Sequence, residues 1–179
     1  LISTARPHDW PTLWINLGLY QLGWFAIVLG MAHHRPWLGS SISITAIAID
    51  LLLAPHAVRR SKMLVLAVIV GTLVESLNAA LHVYDVTSGS WRGWASPPIV
   101  LLWAGFSTTF ERSLRWISAR YGLALAVGAL AGPLAFFGGE RLGAITLSRN
   151  PWLLAALATE WALALPLLVW CSDRLKRIA

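Results

Sequence analysis

Residues 63–82 read MLVLAVIVGTLVESLNAALH, twenty positions with a single charged side chain, Glu75. A helix needs about 20 apolar residues to cross the roughly 30 Å of bilayer hydrocarbon. The stretch therefore reads as a transmembrane helix that carries an acid well inside its span. The whole chain follows the same pattern. Of its 179 residues, 57% are hydrophobic and 12% charged, and the mean hydropathy is +0.65. A soluble domain carries about 25% charged residues, twice what is available here to coat a water-facing surface. Disorder is excluded by the same numbers, since it needs low hydrophobicity.

Five further segments are long and apolar enough to join residues 63–82: about 12–31, 38–55, 97–116, 121–139 and 151–171. The connections are short, the longest running from Val83 to Ser96, so no extramembrane domain fits. Pro97, Pro98 and Pro151 suit helix starts, where a missing N–H costs nothing. The expected fold is all-α, one bundle of six transmembrane helices over residues 1–179. No cleavable signal peptide is expected, because the first apolar run is too long for one.

Six spans put both termini on one side. That side collects ten of the fourteen Lys and Arg residues, among them Arg6, Arg59, Arg60, Lys62, Arg112 and Arg115. Arg35, Arg92, Arg141 and Arg149 fall on the other. Cytoplasmic loops accumulate basic residues, so both termini are expected in the cytoplasm of a bacterial inner membrane. The net charge of +6 is then a record of orientation rather than of a nucleic-acid partner. Arg59, Arg60, Lys62, Arg112 and Arg115 become candidates for contact with anionic lipid of the inner leaflet. Tryptophans mark the boundaries: Trp14, Trp116 and Trp170 near one interface, Trp37, Trp94 and Trp152 near the other. Trp24, Trp103 and Trp161 lie deeper and suit core packing or contact with a ligand.

An ionisable group inside the bilayer is a functional hypothesis by default. Glu75 shares a helix face with Asn78 and His82, at i+3 and i+7. Glu160 sits in the sixth segment, and Asp50 one turn from the basic end of the second, within reach of Arg59 or interfacial water. Glu75, Asn78, Gln21, Asn16 and Glu160 are the candidates for an intramembrane polar pocket. Such a pocket suits a lipid headgroup or proton coupling, or else interhelical hydrogen bonds that fix packing, each about 0.6 kcal/mol. In the fifth segment Ala124, Gly128 and Gly132 recur every four residues, a small-residue face for close helix contact. Pro133 and Pro166 each remove one helix hydrogen bond and shape the bundle. His33, His34 and His82 are possible ligands on the outer side, but their spacing matches no metal signature. Cys171 is the only cysteine and cannot form an internal disulfide or a thiolate site alone. No phosphate-binding loop, nucleophile elbow or zinc-protease motif is present, and nothing calls for a cofactor.

Several of these residues also carry a resemblance. The set comprises Asn16 with Gln21-Leu-Gly-Trp-Phe25, Glu75-Ser76, Pro98 with Leu102-Trp103, Phe106 and Thr109, and Ser113-Leu114-Arg115-Trp116. It continues in Gly132-Pro133-Leu134, Arg141-Leu142-Gly143 and Trp161 with Pro166. Together they resemble the bacterial inner-membrane family catalogued as domain of unknown function 2878, over nearly the whole chain. The resemblance implies no assigned activity and a loose association with fatty-acid modification. Three roles are open: a non-enzymatic accessory subunit docking on other membrane proteins, lipids or pigments; a small lipid-handling enzyme or carrier built around Glu75; and a proton-coupled transporter. The absence of catalytic motifs and the minimal loops favour the first.

Overall fold

The computed structural model describes residues 10–89 and 94–178. Arg6 and Arg92, counted above in the charge balance, lie outside them. Among the described residues are six α-helices: α1 (Trp10–Ala32), α2 (Pro36–Leu52), α3 (Ala57–Ala80), α4 (Pro97–Ser107), α5 (Tyr121–Arg141) and α6 (Pro151–Ile178). Strands β1 (Tyr84–Val86) and β2 (Ile145–Leu147) pair antiparallel, with Tyr84 opposite Leu147 and Val86 opposite Ile145. The ribbon was not foreseen, because three-residue strands have no periodicity to detect. Helices α1, α3, α5 and α6 are long and apolar enough to cross a membrane, whereas α2 and α4 are shorter.

Helix α4 departs most from expectation. It has 11 residues, which at 1.5 Å each reach about 16 Å, half the hydrocarbon thickness. The run to Trp116 is broken by Ser107, Thr108 and Thr109. Their hydroxyls donate back to the carbonyls of Ala104, Gly105 and Phe106 at 2.6–2.8 Å. The Thr108 carbonyl then accepts from the Arg60 guanidinium (2.7 Å) and the Asn16 amide (3.1 Å) instead of from the next helical turn. Hydroxyl side chains that compete with the backbone end helices in this way. A 3₁₀ turn at Arg115–Ile117 completes the connection to α5.

Helices α3 and α6 run further into polar sequence than hydropathy indicates. Arg59 makes a bidentate pair with Glu111 at 2.8 and 2.9 Å. Asp173 accepts from the Ser118 hydroxyl, the Ala119 amide (2.9 Å) and Lys176 (3.2 Å). Satisfied polar groups let a helix continue where the apolar pattern stops. Pro133 and Pro166 lie inside α5 and α6, which continue through them.

The helices pack as pairs, α1 on α2, α3 on α4 and α5 on α6; α4 also meets α1 and α2, and α3 meets α6. One close approach lies where these pairs converge. The indoles of Trp103 (α4) and Trp161 (α6) stack with ring centroids 4.6 Å apart and planes 20° from parallel. Gly71 of α3 backs Trp103, and Gly132 of α5 backs Trp161. A Cβ at either glycine would overlap the indole against it. Gly128, one turn before Gly132, leaves equally no room beside the Trp161 carbonyl. The face of Ala124, Gly128 and Gly132 is thus buried within the chain, against α6.

A second fixed point lies at the basic end. Asp50 is 1% exposed and Arg60 4%. Their side chains approach to 2.9 Å, and Arg112 reaches the other Asp50 oxygen at 3.3 Å. Asn16 donates to the same carboxylate at 2.9 Å. Four elements therefore meet on one buried carboxylate. Arg59, the expected partner, pairs with Glu111 instead.

Two substitutions test these fixed points. Gly132→Val should destabilise the protein by about 1–3 kcal/mol or more, because Trp161 cannot give way without leaving Trp103. The loss should appear as a lower melting temperature in detergent, together with a collapsed near-UV tryptophan signal. Asp50→Ala leaves the buried Arg60 and the part-buried Arg112 guanidinium groups without that counter-charge, and should cost about 3–5 kcal/mol by the same melting measurement.

Candidate functional site

Glu75 is fully buried. Its position on α3 follows from the neighbours just described. Gly71, one turn earlier, lets the Trp103 ring lie flat on α3, and the indole Nε1 then donates to Glu75 Oε1 at 2.8 Å. Past the end of α3 the chain reverses at His82, which takes a left-handed backbone (φ 51°). That reversal turns β1 back over the helix, where the Tyr84 hydroxyl donates to Glu75 Oε2 at 2.6 Å. Burial and the adjacent Glu75 push the Tyr84 phenol above its ordinary pKa, so it remains a donor. Each carboxyl oxygen of Glu75 thus has one donor and retains lone-pair capacity for another.

Asn78, also fully buried, lies beside Glu75 and in electrostatic reach of Glu160 from α6. Neither amide atom of Asn78 closes a hydrogen bond of good geometry, and neither does Glu160 Oε2 or Trp161 Nε1. Most buried polar groups have partners, so these unpartnered atoms on α3 and α6 set the region apart.

Glu75 also lines a cleft. Helices α1 and α5 face each other across it, with Tyr20 and Trp24 on one wall and Phe136 on the other. Trp103, Trp161 and Phe106 form the floor, and Ala144 and Ile145 beside β2 close one end. The cleft encloses about 590 Å³ counted to its open mouth, of which about 70 Å³ admits the centre of a water-sized molecule. Its lining is apolar apart from Glu75, the Tyr20 hydroxyl and the indole N–H groups of its tryptophans. All three deep tryptophans border it.

The expected site residues divide. Glu75, Asn78 and Glu160 come together. Asn16 does not join them: it sits in the Asp50 cluster, bonded to Asp50, Thr108 and Ser113. Gln21 faces outward, since five residues along a helix turn it well away from Asn16. Of the basic candidates, Lys62 and Arg115 are exposed. Arg59, Arg60 and Arg112 are engaged by Glu111 and Asp50 within the protein, which corrects their assignment to lipid. His33, His34 and His82 are exposed. His34 and His82 hold left-handed turns after α1 and α3, positions where His is among the better tolerated residues. No group of three metal-ligating side chains occurs among the described residues. Tyr84 is the residue of this candidate site that the sequence did not single out. Its only signal was proximity to the end of the helix that carries Glu75.

No curated protein and no solved structure matches the chain. The family model described as "Protein of unknown function (DUF2878)" matches residues 13–167. With most of its length covered by that match, the chain belongs to the DUF2878 family of proteins of unknown function.

Proposed function

We propose that this protein binds the hydrocarbon chain of a membrane lipid in the cleft between α1 and α5, with Glu75 as the polar contact at its base, as a lipid-handling carrier or enzyme. The observation that carries this reading is a fully buried carboxyl group, held by Tyr84 and Trp103, on the wall of an otherwise apolar cleft. Ligand sites are typically concave and apolar, with few polar groups that fix orientation. The cleft opens between two apolar helices, so its mouth would face lipid tails. Its narrow interior suits one extended chain rather than a headgroup. An accessory-subunit role has less support, because the glycine face that would dock a partner lies against α6 inside the chain.

In this reading all six helices sit in the bacterial inner membrane, with α2 and α4 crossing it together with their flanking turns. The basic end, with both termini, faces the cytoplasm, and exposed Lys62 and Arg115 meet anionic headgroups there.

Blocking the cleft tests the lipid reading. Ala135 lines it from α5, and Ala135→Trp should fill its mouth. Native mass spectrometry of the wild-type protein should find a co-purifying lipid that the variant loses while remaining folded. Equal lipid content in both would overturn the reading. Orientation is tested in a Cys171→Ser background, which removes the single native cysteine. An impermeant maleimide should label Asp85→Cys on intact spheroplasts, and Arg120→Cys only after permeabilisation.

A further inference from the structure

The chemistry of the cleft narrows the class of lipid it can take, an inference that rests on the binding proposed above. No Lys, Arg or His lines it; its ionisable side chains are Glu75 and Tyr20. The two cations drawn into the bundle at Asp50 do not help. Arg60 and Arg112 are fixed on Asp50 and on the carbonyls of Thr108 and Leu53 at the basic end. A carboxylate or phosphate brought into the cleft would meet Glu75 with no counter-charge, in a setting where an unpaired charge is strongly disfavoured.

The hydrogen-bonding inventory is equally selective. Glu75 already accepts from the Tyr84 hydroxyl and the Trp103 indole, so it has acceptor capacity left. Trp161 lines the same cleft, and its Nε1 is a buried donor without a partner. Besides the Tyr20 hydroxyl, the cleft therefore offers one acceptor and one unused donor. A hydroxyl group donates one bond and accepts others, and matches both. An ammonium could pair with Glu75 only after losing its hydration shell, a cost that burial of an ion pair repays poorly, and, having no acceptor, it leaves Trp161 Nε1 unpaired. A ketone or ester carbonyl only accepts and leaves Glu75 unused.

We propose that the cleft takes a lipid with a single long hydrocarbon chain ending in an uncharged hydroxyl, a long-chain alcohol. Its chain lies along Trp24, Phe106 and Phe136, and its hydroxyl bridges Glu75 and Trp161 Nε1.

The test uses the full chain in detergent with four probes at equal mole fraction in the micelle: hexadecane, hexadecanol, hexadecanoic acid and hexadecylamine. Binding is read from the shift in melting temperature and from tryptophan emission. Hexadecanol should bind about tenfold more tightly than the other three, the effect of one to two well-made buried hydrogen bonds. Trp161→Phe keeps an aromatic ring against Trp103, smaller than the indole, and removes the donor. It should cut the preference for hexadecanol over hexadecane several-fold, the ratio being read within each variant so that any common loss of tail binding cancels. Glu75→Gln should reduce the same preference. Equal binding of hexadecane and hexadecanol overturns the hydroxyl assignment while leaving tail binding intact. So does stronger binding of the acid or the amine. If none of the four probes binds, the tail-binding reading falls as well.

Discussion

Trp103 and Trp161, stacked between Gly71 and Gly132, join four helices at one point. Helices in a bilayer gain nothing by hiding apolar surface from lipid, so their association rests on close packing and a few polar contacts. Two indoles need a wide gap, and two missing Cβ atoms supply it. The same arrangement aims the Trp103 N–H at Glu75. The stack therefore fixes the α3–α4–α5–α6 core and orients its acid at once. Alter the spacing of α3 and α4, and the carboxyl group loses one of its two donors.

Asp50 does for the basic end what the stack does deeper in the bundle. Its carboxylate gathers Asn16 of α1, Arg60 of α3 and Arg112 from the segment after α4. Buried ion pairs add little net stability compared with apolar packing, but breaking one partner is costly. Such a cluster specifies which helix ends meet. It also ends α4 early, because Arg60 and Asn16 take the Thr108 carbonyl.

The membrane class, the helical content and the acid at Glu75 were legible from hydropathy, because a long apolar run with one charge has few alternative readings. Glu75 and Asn78 could be placed on one face by helical spacing alone. What could not be read was the partner of each polar residue. Asn16 and Glu75 are both buried polar residues in apolar helices, yet they serve different clusters on different helices. Tyr84 was hidden for another reason: it reaches Glu75 only because a short ribbon folds back after α3. The arginines at 59, 60 and 112 looked alike as topology markers. Each acid chooses its arginine by three-dimensional proximity, which local sequence does not encode.

The β1–β2 ribbon ties the end of α3 to the end of α5 with three residue pairs, and Ala144 and Ile145 beside it wall off that end of the cleft. In the proposed binding mode, a molecule seated against Glu75 comes and goes sideways between α1 and α5, in the plane of the bilayer. On the proposed reading, occupancy responds to the surface density of the ligand within one leaflet rather than to any aqueous concentration. The protein would sample the composition of its own membrane by two-dimensional diffusion.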